Sequence, residues 1–446
     1  MTGQAAPMTE GSIGKRITLF AMPIFLGNLF QQLYNTADSL IVGNFLGSNA
    51  LAAVSSSGSL IFMLIGFLSG VSIGAGVVIA RYFGAGDREN MDLAIHTTVA
   101  FGLAASVVMT LIGVLLSPQI LRLMATPEVV MGDSVTYLRI YFAGSLGFVM
   151  YNIFVGILQA VGDSRHPLYY LIVSSLVNIV LDIAFIAGFG MGVEGAAIAT
   201  VISQLVSALL CLIQLTCRQK NCRLYLRRIA FTPRLLKQII RMGLPSGLQN
   251  SIIAFANVVV QSNINSFGEL AMAGVGAYSK IEGFGFLPIT SFTMALTTFI
   301  GQNLGAAQYE RAKEGARFGI RATVVLAELI GVAVFVFAPQ LIAAFDSNPE
   351  VISIGVAKAR TSTLFFFLLA FSHAISAVLR GAGRAIVPMT VMLVFWCVVR
   401  VGFLTITVPI THSILMLYWV YPLTWALSSL TFLIYYKKAD WLHSRF

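Results

Sequence analysis

The chain has 446 residues, of which 57% are hydrophobic and only 10% charged, and its formal net charge is +10. A soluble protein with so few charges would expose too much apolar surface to water. Apolar runs of about 20 residues or more alternate with short polar breaks, which predicts a polytopic α-helical membrane protein. The basic residues concentrate in every second loop and form no single patch, so we expect no nucleic-acid partner.

The apolar runs predict twelve membrane spans. They cover residues 17 to 46, 51 to 80, 94 to 116, 136 to 160, 167 to 187, 193 to 215, 240 to 266, 271 to 302, 318 to 342, 356 to 379, 386 to 410 and 413 to 436. With the N-terminus inside, 22 of the 28 basic residues fall on the cytoplasmic side, as the positive-inside rule requires. We therefore expect a monomer in the lipid of the cell inner membrane, with both termini cytoplasmic.

The second half of the chain repeats the first at a nearly constant offset. The matching pairs are Pro23 with Pro245, Asn28 with Asn250, Gly47 with Gly268, Gly84 with Gly305, Pro127 with Pro349, and Gly162 with Gly383. Each half holds six spans, and because six is even the copies share one orientation, related by a pseudo-two-fold axis along the membrane normal. This predicts an N-terminal lobe (residues 1–216), a cytoplasmic basic linker (217–233) and a C-terminal lobe (234–446), with substrate bound between the lobes.

The linker carries the densest basic cluster of the chain. A lipid-headgroup anchor that also sets the topology is the main interpretation, and a regulatory role is the alternative.

The first span has a polar face near its middle. Gln31, Tyr34, Asn35 and Asp38 stand at helical spacings i, i+3, i+4 and i+7 and share one side. An Asp at the centre of a membrane helix costs roughly 2.5 to 3.5 kcal/mol on insertion scales and usually marks an ion or substrate path. We predict that Asp38 is a coupling site and that Asn35, on the same face, lines the substrate cavity.

A second acid lies in the fifth span. Asp182 follows Asn178 by one helical turn, and Thr200 in the sixth span comes after small residues that let helices approach closely. If Asp38 and Asp182 converge, two shielded carboxylates repel each other and the pair binds a proton or Na⁺ readily. A purely structural polar cluster is the alternative.

The second half lacks this set of polar residues. The positions that match Asp38, Asn178 and Asp182 hold Val259, Val399 and Phe403. Because a structural cluster would be expected in both copies, this asymmetry favours a function in the N-terminal lobe.

Pro23 is predicted to bend the first span, because proline removes a backbone hydrogen bond and crowds the preceding turn. The hypothesis is that ion binding at Asp38 changes this bend. A static kink is the equally open alternative.

Charged residues also occur in C-terminal spans: Lys280 and Glu282 in the eighth, and Arg400 in the eleventh. Residues two apart on a helix do not face each other, so Glu282 needs another partner, and Arg400 is one candidate. Glu282 and Arg400 are predicted either to contact substrate or to form a buried pair that packs the lobe.

Taken together, the motifs resemble those of the multidrug and toxic compound extrusion (MATE) family over nearly the whole chain. The similar stretches are Asn35-x-x-Asp38, Gly162-Asp163-x-x-x-Pro167, Asn178-x-x-x-Asp182, Gly192-x-x-Gly195-Ala196-Ala197-x-Ala199-Thr200, and Gly381-x-Gly383-Arg384-x-x-x-Pro388. The resemblance implies secondary active efflux of amphipathic, often cationic small organic molecules in exchange for H⁺ or Na⁺, by alternating access between two lobes, with no cofactor and no enzymatic activity.

Similarity to the DinF-like branch of the family implies which residues act. It assigns the cation and proton site to Asp38, Asn178, Asp182 and Thr200, the bend to Pro23, and the cavity lining to Gln31, Tyr34 and Asn152. Another branch uses C-lobe acids, one of them early in the seventh span, where Ile253 stands here.

Two other functions are less favoured than an exporter. A lipid or lipid-linked oligosaccharide flippase of the same superfamily would need a cationic cavity for a pyrophosphate, whereas Asp38 and Asp182 are acidic. A membrane-embedded transferase would need Asp-rich or His-containing surface loops, and the five histidines are scattered singly.

Overall fold

A computed structural model describes residues 7–124, 126–218 and 222–443. Within these ranges the chain forms a short 3₁₀ helix at Leu226–Arg228 in the linker and twelve long helical segments, one for each predicted span. They are α1 (Ile13–Leu46), α2 (Ser48–Ala85), α3 (Arg88–Leu123), α4 (Glu128–Ala143 and Ser145–Ala160), α5 (Arg165–Gly188), α6 (Val193–Arg218), α7 (Pro233–Asn265), α8 (Glu269–Gly305), α9 (Tyr309–Ala343), α10 (Pro349–Gly381), α11 (Ile386–Thr411) and α12 (Ile414–Lys438). Residues 1–6 and 444–446 of the predicted lobes, and 219–221 of the predicted linker, lie outside the described ranges.

Ten of the described helices are long and apolar enough to cross a membrane, and the two parts of α4, bent by 51°, can together form an eleventh. The remaining segment is α7, whose apolar face is interrupted by polar side chains. These are Gln249, Asn250, Asn257, Gln261, Asn263 and Asn265. The protein is therefore an all-α polytopic membrane protein, as predicted.

The bend in α4 lies at Gly144, where the helix packs closely against α6. A Cβ atom placed there would collide with the side chain of Val201 on α6, so only glycine lets the two helices approach so closely. The two parts of α4 meet at this residue.

The predicted repeat recurs in the backbone. Four pairs of residues with positive φ stand at the offset of the sequence repeat, and each pair lies at equivalent helix ends. The pairs are Gly47 and Gly268 (87° and 90°), Gly86 and Ala307 (69° and 55°), Gly162 and Gly383 (92° and 86°), and Gly190 and His412 (66° and 48°). The two halves therefore turn the chain in the same way at matching points.

The chain divides into two compact units. The first unit contains Pro7 and residues 26–243, and the second contains Met8–Phe25 and residues 244–443. Helices α1 and α7 each contribute residues to both. In the second unit, Ile17 and Phe20 of α1 join a buried cluster with Phe299, Phe366 and Trp425.

The first unit has its own buried cluster close to the polar part of α1. Val42 packs there with Tyr137 of α4, Ile186 of α5 and Ala196 of α6. Contacts among these four helices fix the position of the neighbouring polar residues.

The described part of the linker folds onto α3 in the first unit. The ring of Tyr225 stacks on His96 with centroids 6.4 Å apart, and the Arg228 guanidinium lies 4.9 Å from the Tyr225 centroid. Arg228 also pairs with Asp92 at 3.7 Å. The predicted contact of this linker with lipid headgroups stays a prediction.

The conformation at Gly268 leads to a stability prediction. Its φ of 90° and ψ of −179° suit only glycine, and an added Cβ would meet nothing within 4 Å, so Gly268→Ala is expected to lower the free energy of unfolding by about 1 to 3 kcal/mol through backbone strain alone. Gly276, inside α8, also has open space around it, and Gly276→Ala is expected to be neutral or to stabilise by up to about 1 kcal/mol. Thermal unfolding in detergent measures both variants, and equal stability of the two would contradict the prediction.

Candidate functional site

Asp38 lies on α1 within the first unit. Its side chain is half-buried, and its Oδ1 atom is buried with no hydrogen-bond partner among the described residues. Of the other residues on the predicted polar face, Gln31 and Tyr34 are half-buried and Asn35 is exposed. The polar face of α1 is therefore only partly covered, which leaves room for a ligand beside it.

Asp182 is fully buried at the point where α5 changes its winding. The helix is α-helical from Arg165 to Asp182 and π-helical over Ile183–Gly188. Such wide turns occur frequently at functional sites, because they shift side chains relative to a regular helix. Asn178, one turn earlier, is also fully buried.

Asn178 joins the fifth and sixth helices. Its amide orientation is fixed by its neighbours: Nδ2 donates to Asp182 Oδ2 at 2.7 Å, and Oδ1 accepts from the backbone N–H of Thr200 at 3.2 Å. The buried hydroxyl of Thr200 lies close to the hydroxyl of Tyr34 on α1. Polar groups of the three helices α1, α5 and α6 thus lie next to one another.

The carboxyl groups of Asp38 and Asp182 lie close enough to interact directly with each other. Ionised carboxylates only accept hydrogen bonds, so a hydrogen bond between the two would require one proton on the pair. The Oδ1 atoms of both residues are buried without a partner in the described part of the chain. The arrangement can hold a proton, and its free oxygen atoms suit a small hard cation.

Two tyrosines of α4 border this cluster and were missed in the sequence. Tyr137 is buried close enough to Asp38, Tyr34 and Asp182 to interact with them electrostatically, and its ring stacks on Tyr141 with centroids 6.4 Å apart. Their spacing of one helical turn within the fourth predicted span was the available signal. They give the acidic cluster an aromatic wall.

The structure brings together Asp38, Asn178, Asp182 and Thr200, with Tyr34 beside them, but it places Asn152 elsewhere. The Asn152 amide is used in packing: its Oδ1 accepts from Ser69 of α2 at 3.2 Å, and its Nδ2 donates to the carbonyl of Phe148 at 2.7 Å. Pro23 lies inside the continuous helix α1, several turns before Asp38. The roles predicted for these residues in transport stay predictions.

Glu282 and Arg400 lie in the second unit together with Lys358. The hydroxyl of Tyr278 donates to Glu282 Oε1 at 3.3 Å, and Arg400 donates to Thr424 Oγ1 at 2.8 and 3.2 Å. No ion pair within 4.0 Å joins Glu282 to Arg400 in the residues that the structure covers. Lys358, which the sequence analysis did not single out, is buried in α10.

Comparison with known proteins identifies the family. The MatE family model matches residues 23–184 and, a second time, residues 245–406. The chain belongs to the MatE family. The two matches begin at positions 23 and 245, which are the positions of the paired prolines that open the sequence repeat.

Relatives and solved structures agree with this assignment. The chain is 30% identical over 440 residues to the probable multidrug resistance protein YoeA of Bacillus subtilis, covering 96% of this chain and 94% of that protein. It is 29% identical to the probable multidrug resistance protein NorM of Thermotoga maritima, covering 85% and 82%. A structure described as the outward-facing conformation of a multidrug resistance MATE transporter of the MOP superfamily has a TM-score of 0.90 at 26% identity, covering 98% of each chain. The protein is accordingly a multi-pass membrane transporter of this family, not an enzyme.

The network around Asn178 predicts the effect of removing its amide. Asn178→Leu keeps the side-chain size but leaves Asp182 Oδ2 and the Thr200 N–H without this partner, so transport activity is expected to fall about 10-fold or more. Efflux of a fluorescent organic cation from cells measures the loss. The matched control is Asn263→Leu, since the Asn263 amide donates to the Val259 carbonyl of its own helix, and we expect it to retain activity. Similar losses in both variants would count against a special role for Asn178.

Proposed function

We propose that the protein is a secondary active exporter that exchanges H⁺ or Na⁺ for amphipathic organic cations by alternating access. The observation that carries this proposal is the direct proximity of the Asp38 and Asp182 carboxyl groups. Two neighbouring carboxyl groups that share one proton change their charge and their contacts when that proton leaves. Ion binding and substrate binding can therefore compete at the same carboxylates.

The donor set is compatible with either coupling ion. A proton is held between the two carboxyl groups, whereas Na⁺ would take the oxygen atoms of Asp38 and Asp182 together with oxygen atoms of Asn178 and Thr200. Sodium is a hard cation that prefers such ligands. In both cases Asn178 orients Asp182 and links it to α6.

The carboxyl groups and the aromatic rings of the site support the proposed substrate class. Two carboxyl groups attract a cation, and the rings of Tyr34 and Tyr137 beside them can contact an aromatic cationic body. Relatives are named multidrug resistance or multidrug export proteins, including MepA of Staphylococcus aureus. A lipid flippase would instead need cations facing a pyrophosphate, so the acidic cluster of the first unit favours an exporter.

The proposal includes a setting in the cell. The distribution of basic residues supports an orientation in the inner membrane with both termini cytoplasmic. We propose that a monomer embedded in lipid is the working unit.

Pro23 is proposed as the place where α1 changes its bend. It lacks the backbone N–H that a regular helix needs, which weakens the helix at that point. Structures of a similar MATE transporter are described as bent and straight conformations, which supports a conformational change of this kind.

Neutralising either acid tests the coupling site. Asp38→Asn and Asp182→Asn can no longer release a proton or offer a carboxylate, so resistance conferred on a pump-deficient bacterium is expected to fall to the level of cells without the protein. Asp133→Asn is the control, because this α4 carboxylate is exposed and its loss is expected to have no effect. Protein in the membrane is quantified for each variant, and full resistance with Asp38→Asn would remove this residue from the mechanism.

Imposed gradients distinguish the two ions. The protein is reconstituted in proteoliposomes, and a pH gradient or a Na⁺ gradient is applied separately. A difference of one pH unit supplies about 1.4 kcal/mol per proton, which can drive roughly tenfold accumulation of substrate. We expect one of the two gradients to drive substrate uptake and Asp182→Asn to abolish it. Uptake that neither gradient stimulates would overturn the antiport proposal.

A further inference from the structure

The second unit contains a cluster of charged and aromatic side chains that the proposed coupling site does not use. Its ionisable members come from three helices: Glu282 of α8, Lys358 of α10 and Arg400 of α11. Lys358 is 4% exposed and Arg400 is 2% exposed. We call this set, with the tyrosines and the tryptophan around it, the cationic cluster; the rings are Tyr278, Trp396, Tyr418 and Tyr421.

The Lys358 ammonium faces aromatic rings. Its Nζ atom lies 3.8 Å from the centroid of Tyr421, 5.6 Å from that of Tyr418 and 5.9 Å from that of Tyr278. No hydrogen-bond acceptor contacts Nζ in the described ranges. Ring faces attract a cation, but they leave three charged N–H donors unsatisfied, which is costly in a buried site.

Arg400 is held in place by a neighbour and stacked on rings. Its Nε and Nη2 atoms both donate to Thr424 Oγ1, and its guanidinium lies 4.4 Å from the Tyr421 centroid and 5.3 Å from that of Trp396. Both cations thus share Tyr421 as a contact. This fixes the guanidinium while using only part of its donor set.

The one acid of the cluster does not neutralise both bases. Glu282 accepts a hydrogen bond from Tyr278, and both bases act on it electrostatically, Lys358 more strongly than Arg400. However, the described residues show no ion pair within 4.0 Å between Glu282 and either base. Two formal positive charges and one negative charge leave a net charge of +1 in a poorly solvated place, and buried charges are stable only when paired or hydrogen-bonded.

The cluster is accessible on one side. Glu282 and Tyr421 are half-buried, and Gly283, next to Glu282, is exposed with no atom within 4 Å of an added Cβ. Lys358 Nζ and the Arg400 guanidinium lie 3.8 Å and 4.4 Å from the ring centroid of this half-buried Tyr421. A ligand that reaches the exposed part of Tyr421 would therefore come close to both cations.

We propose that the cationic cluster binds the carboxylate of an aromatic organic anion. One carboxylate supplies the single negative charge that balances the cluster, accepts hydrogen bonds from Lys358 and Arg400, and brings a flat body that packs on Tyr421 and Trp396. Glu282 opposes this binding through its own negative charge. The site lies wholly in the second unit and needs no ion gradient, so it is separate from the coupling site around Asp38.

Binding of two matched probes to the purified full-length protein in detergent tests the proposal. The probes are 2-naphthoate and the uncharged 2-naphthamide, which share the ring system, and isothermal titration calorimetry measures both. We expect naphthoate to bind at least about 10-fold more tightly than naphthamide, since only the carboxylate forms charge-assisted hydrogen bonds. Equal affinity of the two probes would overturn the proposal.

Two substitutions, one that removes a positive charge and one that removes a negative charge, distinguish ligand binding from a packing role. Lys358→Met keeps the unbranched side chain and removes the charge, so naphthoate affinity is expected to fall about 10-fold or more while naphthamide affinity stays the same. Glu282→Gln removes the opposing charge and is expected to tighten naphthoate binding about 3-fold or more. A cluster that serves packing alone would not yield these opposite shifts.

Lys280→Met is the matched control, because Lys280 is exposed on α8 and faces the ring of Phe345 instead. It is expected to leave naphthoate affinity unchanged, and an equal loss with Lys280→Met and Lys358→Met would overturn the proposal. If Lys358→Met fails to fold, Glu282→Gln decides alone: tighter binding supports the site, and unchanged or weaker binding refutes it. Asp38→Asn is expected to bind naphthoate normally, so a failure of the coupling proposal is distinguishable from a failure of this one.

Discussion

The close approach of the Asp38 and Asp182 carboxyl groups is the constraint on which the polar cluster of the first unit depends. Each carboxylate alone costs roughly 2.5 to 3.5 kcal/mol at the centre of a membrane helix, and two ionised carboxylates in contact repel each other. One shared proton would convert that repulsion into a hydrogen bond. For this to occur, α1, α5 and α6 must converge, and the buried small residues Gly195, Ala196 and Ala197 at the start of α6 permit the close approach.

The two halves of the repeat share backbone turns but not the buried polar side chains. The two halves share four left-handed turns at matching positions, yet the residues that match Asp38, Asn178 and Asp182 are Val259, Val399 and Phe403. The polar groups of the second unit stand at other positions and carry the opposite net charge, with Lys358 and Arg400 outnumbering Glu282. The same turns and helix lengths thus support an acidic cluster in one unit and a cationic cluster in the other. This is possible because a few turn residues determine where a helix ends, whereas individual side chains determine the charge of a buried site.

Much of this could be predicted from the sequence, and the limits have physical reasons. Apolar runs define the helices because an unpaired backbone cannot remain in lipid, and the cost of a buried acid singled out Asp38 and Asp182. Sequence periodicity shows which residues share one face of a helix, but it does not show which residues of other helices contact that face. Tyr137, which lies beside the two acids, was missed for this reason. Lys358 was missed for a related reason: basic residues close to the end of a span commonly reach water, and only the surrounding rings show that this one does not.

Helix α1 carries both Asp38, which belongs to the acidic cluster, and Pro23, which weakens the helix. Its residues up to Phe25 belong to the second unit and those from Leu26 onward to the first, and Pro23 lies just before that division. In a proline-containing turn the helix lacks one hydrogen bond, so it bends there at lower cost than elsewhere. Asp38 lies further along the same helix, beside Asp182 of α5. In the proposed mechanism, a change in the proton or ion at Asp38 would alter how firmly the later part of α1 is held, and the helix would respond by bending at Pro23. The position of the proline just before this division, rather than its presence alone, is what this proposal depends on.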